Sequence, residues 1–112
     1  MPITERRCAA RVRTYAPVRL TAPQLPKVIQ TLTKDVSPDG LRCIAPDACP
    51  VATLLRIELS LSPGQEPMLL TGRTAWFRSL PYSDQFDLGV EFTDLSAETH
   101  RRLSSYLTDL AA

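Results

Sequence analysis

The sequence predicts an all-β dominated fold, with about six antiparallel strands followed by one C-terminal helix. Three observations carry that expectation. Apolar and polar residues alternate in three separate stretches, as they do on strands with one buried and one wet face. Ten prolines fall at short intervals along 112 residues and break the chain into many short elements. The C-terminal stretch then changes to a helical period.

The elements follow in order. Val12, Thr14, Ala16, Val18 and Leu20 alternate with Arg13, Tyr15, Pro17 and Arg19, which gives a first strand over 12–20. The runs 27–35 and 40–45 are shorter strand candidates joined by Pro38-Asp39-Gly40, whose residue types suit a tight turn. Leu55, Ile57, Leu59 and Leu61 alternate with Arg56, Glu58, Ser60 and Ser62. The run 67–78 is a longer strand with blurred phase, and Tyr82-Ser83-Asp84 reads as a hairpin turn. Phe86, Leu88, Val90 and Phe92 mark the last strand. Leu95, Leu103, Tyr106, Leu107 and Leu110 form one helical stripe. Ser96 is its expected N-cap, and Glu98 lies in the first turn, where the helix dipole favours a negative charge. A sheet with one apolar face either curls into a barrel or packs under that helix.

Composition narrows the function. The chain carries 13 Lys+Arg and 12 Asp+Glu, a formal net charge of +1, which argues against a general nucleic-acid or membrane-surface binder. The longest run without a charge, Ala48–Leu55, is far short of the roughly 20 residues of a membrane span. The N-terminus lacks the apolar run of a secretory signal. Three cysteines, an odd number, fit free thiols in a reducing cytoplasm, with Cys43 a small core residue. One histidine and no CxxC pair leave neither a zinc site nor a nucleophile–base set, so neither a metal, a cofactor nor catalytic residues are expected. His100 belongs to a solvated helix face beside Arg101 and Arg102. A single-stranded nucleic-acid binder is disfavoured by the 6% aromatic content and by basic residues gathered at one end.

Two segments carry chemistry. Four arginines, Arg6, Arg7, Arg11 and Arg13, lie just before or at the start of the first strand. By itself such a cluster also fits a solvated basic terminus. Guanidinium forks suit phosphate oxygens and the O6/N7 edge of guanine. Asp35-Val36-Ser37-Pro38-Asp39-Gly40 contains more than a turn requires, since the turn uses Pro38, Asp39 and Gly40 but not Asp35 or Ser37. Those two are two residues apart and share a strand face, where they could read the N1–H and 2-amino donors of a guanine. Gly40 would let a ligand approach the backbone.

Arg7-x-x-x-Arg11 followed by Asp35-x-Ser37-x-x-Gly40 resembles the two-part signature of PilZ domains, bacterial receptors for the second messenger cyclic di-GMP. Thr71–Trp76 and Phe86–Phe92 are similar to that family's fifth and sixth strands. The resemblance runs from about residue 5 to 110. It implies a six-stranded antiparallel β-barrel with a C-terminal α-helix in one domain over 1–112, divided into an arginine-rich segment 1–11, a barrel 12–92 and a helix 95–110. The segment is expected to be mobile without ligand, because it has little to bury and its arginines repel one another. It implies further that Arg7 and Arg11 grip phosphates and guanine faces, that Asp35 and Ser37 hydrogen-bond a guanine, and that Gly40 leaves space beside it. Arg6 matches the additional arginine of some members and points to two intercalated ligands per chain.

Trp76 has two readings, packing at the barrel mouth under the helix or forming an aromatic wall beside a guanine, helped by Arg78. The expected function is a non-enzymatic, cytoplasmic cyclic di-GMP receptor. It would relay the signal to an unidentified protein partner when ligand orders the N-terminal segment. The alternative is an interaction module of the same fold that binds no nucleotide.

Overall fold

The computed structural model describes residues 11–111. Its strands are β1 (Val12–Arg13), β2 (Pro17–Thr21), β3 (Ile29–Ser37), β4 (Gly40–Ala45), β5 (Leu54–Leu59), β6 (Met68–Ser79) and β7 (Phe86–Thr93), and its helix is α1 (Ala97–Ala111). All pairings are antiparallel. They run β3-β2-β5-β6-β7-β4, and a β4–β3 pairing closes them into a six-stranded barrel. The short β1 lies beside the far end of β3. The fold class is therefore the one the sequence predicts. Among the described residues no helix is long and apolar enough to cross a membrane.

The barrel interior is filled by the apolar set of each alternating strand. Val18 and Leu20 meet Ile57 and Leu59 from β5, Leu41 and Cys43 from β4, and Leu88 and Val90 from β7, all of them buried. Each buried Leu, Ile or Val contributes roughly 1.5–3 kcal/mol. The helix adds Leu103 and Leu107, with Tyr106 partly buried and its hydroxyl donating to the Leu61 carbonyl. Leu110, the last of the predicted stripe, stays exposed. Ser96 caps α1, because its Oγ accepts the Thr99 N–H at 3.1 Å.

Two register shifts interrupt this regularity. In β3, Ile29 and Thr33 are buried and Thr31 is half-buried, so strict alternation would send Asp35 inward. The pairing shifts between Thr33 and Asp35, and Lys34 is the extra residue. Val36 then takes the inward place opposite Leu41, and Asp35 faces out opposite Arg42. In β6, Leu70, Gly72 and Thr74 point inward, and alternation would bury Trp76 next. A shift between Thr74 and Trp76 sets Trp76 opposite Gly89 and Arg78 opposite Asp87. This extra residue, Ala75, is the source of the blurred phase in 67–78. Bulges of this kind re-aim side chains locally.

Each shift is braced. The predicted strand 12–20 breaks at Thr14–Ala16, beside the β3 bulge. There the buried Thr33 hydroxyl accepts the Ala16 N–H at 2.9 Å and donates to the Thr14 carbonyl, replacing ladder bonds the break removes. At the β6 bulge, the Ala52 N–H donates to the Thr74 carbonyl at 2.8 Å and the Thr74 N–H donates to the Thr53 carbonyl at 3.0 Å. Ala52 adopts a left-handed φ of 72° to do so.

Candidate functional site

The outward residues of β3, β4, β7 and β6 form one connected row. Arg11 leads it, its Nη1 2.7 Å from Asp35 Oδ1. The other Asp35 oxygen lies 3.1 Å from Arg42 Nε, an ion pair whose angle falls short of a hydrogen bond. Arg42 Nη1 and Arg78 Nη2 both donate to Asp87 Oδ2, at 3.4 and 3.3 Å. The Arg78 guanidinium then sits 5.7 Å from the centre of the Trp76 ring, a cation–π contact. Three guanidiniums and two carboxylates thus alternate along the sheet and end on an indole.

Burial sorts the members. Arg11 and Arg78 have half or more of their side-chain surface exposed, whereas Asp35 keeps 16% and Asp87 only 4%. An exposed ion pair is worth little, typically below about 1 kcal/mol, so Arg11 and Arg78, at the two ends of the row, are its most easily released members. Asp87 is held by two cations at one oxygen, and its Oδ1 has no hydrogen-bond partner among the described residues.

Of the sequence candidates, Arg11 and Asp35 meet directly although 24 residues separate them. Ser37 lies on the same side of β3 as Asp35 but is buried, at 2% exposure. Its Oγ accepts the Asp39 N–H at 3.1 Å and lies 3.4 Å from the Gly40 carbonyl. This corrects the reading that the turn does not use Ser37, because the hydroxyl supplies an acceptor that a two-residue loop lacks. Gly40 is also placed differently. A Cβ there would stand 2.1 Å from the Val90 carbonyl oxygen, so the space beside Gly40 belongs to β7 and the glycine allows two strands to approach. Trp76 lies on the outer face at 38% exposure, while the helix packs on β1 and β3 and not on β6. Its ring covers Gly89, where a Cβ would come within 2.3 Å of the indole. Arg6, Arg7 and the expected mobility of the N-terminal segment lie outside the described residues.

Sequence reasoning missed Arg42 and Asp87. Their outward phase was readable from Leu41, Cys43 and Leu88 beside them, but their meeting depends on the β4–β7 pairing. Directly inside this face, burial above all pushes the Cys43 thiol up to about 12, with the charges of Asp87 and Cys49 adding to it. A thiol held protonated is a poor nucleophile. Among the described residues no cluster of His, Cys, Asp or Glu could hold a metal ion.

Residues 5–109 match the family model described as PilZ domain. The chain belongs to the PilZ family. Solved structures agree in fold. The inhibitor of motility MotI/DgrA of Bacillus subtilis superposes with a TM-score of 0.75 at 16% identity, over 90% of this chain and 49% of that one. The PilZ domain of YcgR from Escherichia coli, solved with c-di-GMP, gives 0.69 at 15% identity, over 90% and 88%. The c-di-GMP complex of MrkH from K. pneumonia gives 0.69 at 14% identity, over 90% and 50%. This PilZ chain thus spans about half the length of the motility inhibitor and of MrkH. No curated protein matches its sequence.

Proposed function

We propose that this PilZ chain is a non-enzymatic receptor for cyclic di-GMP and binds it on the outer face of β3, β4, β7 and β6. The observation that carries the reading is the Arg11–Asp35 contact at 2.7 Å, which brings the two halves of the family signature to one point. The ligand supplies two phosphodiesters for arginine forks and two guanines with a donor edge for a carboxylate. Arg7 and Arg11 grip phosphates and guanine faces, and Asp35 accepts from a guanine N1–H and 2-amino group. Ser37 and Gly40 serve by shaping the hairpin that presents Asp35, and Trp76 offers its exposed ring as a wall.

The relay follows from the same contact. Arg11 stands at the head of the described chain and is held by Asp35. A ligand that engages both residues changes where the preceding segment can go, and with it the surface offered to a partner protein. Arg6 supports a second, intercalated ligand by offsetting its added phosphate charge.

Calorimetry tests the reading. Cyclic di-GMP is expected to bind at two per chain, falling to one in Arg6→Ala. Cyclic di-AMP, whose adenines lack both donors, should bind far more weakly. Absence of cyclic di-GMP binding would leave the protein-interaction module as the correct description, and equal isotherms for the two dinucleotides would remove Asp35 as the reader.

A further inference from the structure

Asp35 is asked to do something its own strand does not secure. A guanine edge presents two donors side by side, so reading it needs both carboxylate oxygens in a fixed plane. In the free protein Arg11 holds Oδ1, but Arg11 is half exposed and is itself given to the ligand. Once it turns to a phosphate, only Arg42 remains on Asp35, at Oδ2. Arg42 in turn is anchored from β7 by Asp87, which reaches it at 3.4 Å and is almost wholly buried. The same Asp87 oxygen holds Arg78 at 3.3 Å, against the Trp76 ring. One buried carboxylate therefore ties the guanine reader on β3 to the aromatic wall on β6, across two intervening strands.

We propose that Asp87 and Arg42 are positioning residues that fix the Asp35 carboxylate for a guanine edge and determine selectivity for it. The inference rests on the cyclic di-GMP reading above. A buried carboxylate shared by two guanidiniums constrains both, and a rigid planar fork presents donors on separate nitrogens to two carboxylates at once, whereas a lysine ammonium is a single compact point charge on a flexible stem. Removing the Asp87 charge leaves Arg42 and Arg78 repelling each other, and Arg42 loses the contact that aims it.

The test compares cyclic di-GMP with its inosine analogue, which lacks only the 2-amino group, by calorimetry on the full chain. Asp87→Asn and Arg42→Lys should each lower the preference for cyclic di-GMP by about tenfold, the worth of one charge-assisted hydrogen bond. The double variant should lose no more than either single, because both cut one chain of contacts. Arg42→Lys keeps the net charge, so the same loss there separates aim from electrostatics. Should Asp87→Asn fail to fold, Arg42→Lys carries the test alone. Weakening of both ligands by the same factor in folded variants, with preference intact, overturns the proposal. A readout without ligand keeps it separate from the receptor reading: the Arg42 Nε–H resonance should shift in Asp87→Asn. If the wild type binds neither dinucleotide, the receptor reading has failed, and an Arg42 resonance unmoved in Asp87→Asn would then also overturn the positioning role.

Discussion

Two stretches of the barrel's outer surface have similar residue types and opposite character. Across β2 and β5, Arg19 faces Glu58 at 3.9 Å, and across the far end of β6 and β7, Arg73 bonds Glu91 at 3.0 Å. Both pairs are about half exposed, each stands alone, and water competes with them freely. Across β3, β4, β7 and the bulged end of β6, the charges are chained from Arg11 to Arg78 and two carboxylates sit below the surface. What separates the stretches is strand register, since both bulges lie on the chained side. On the regular stretches the charges stand in isolated pairs, whereas the two bulges turn Asp35 and Arg78 outward to join Arg42 and Asp87 in one chain.

The sharpest way to break this contrast is at the Arg11 end of the chained side. Arg11→Ala and Asp35→Ala should each weaken cyclic di-GMP binding by about ten- to hundredfold, the range of about 1.5–3 kcal/mol for hydrogen bonds to charged groups. Their melting temperatures should stay near that of the wild type. Wild-type affinity in Arg11→Ala would show that the chained side is no different from the other.

The bracing of the bulge comes next. Thr33→Val keeps the shape but strips the hydroxyl from the Ala16 N–H and the Thr14 carbonyl, both of which then need new partners. Denaturant unfolding should show a loss of about 1–3 kcal/mol, the desolvation penalty of one buried unpaired group. An unchanged midpoint would mean the β3 bulge stands without its brace.

Alkaline pH probes the core directly beneath the chained side. Folding raises the Cys43 thiol from its ordinary 9.0 to about 12. Between these values the unfolded chain releases the proton and the folded chain keeps it. The contribution is therefore complete below pH 9.0 and is lost as pH rises toward about 12. Stability measured across that window should fall, and Cys43→Ala should flatten this part of the curve. The smallest effect belongs to the other stretch, where Arg73→Ala should change stability by no more than about 1 kcal/mol and leave ligand binding untouched. A larger change would blur the comparison.

Much of this protein is legible in its residues alone. The alternation in 55–61 and 86–92, the helical stripe with its Ser96 cap, and the spacing of the arginine and Asp35 motifs follow from local periods and local chemistry, which a linear chain carries in full. Those periods settle which strands exist and most of the residues that line the core. Which way Asp35 and Trp76 face is a different matter. Each depends on one extra residue, Lys34 or Ala75, that reverses the phase of everything after it, and the bulge forms only against a paired strand. The joining of Arg42 and Asp87 to the site, across 45 residues, is likewise a product of the assembled barrel. Their contact exists because β4 pairs with β7 rather than with its neighbour β5 in the chain, and a closed barrel's register is set by the packing of all its strands together.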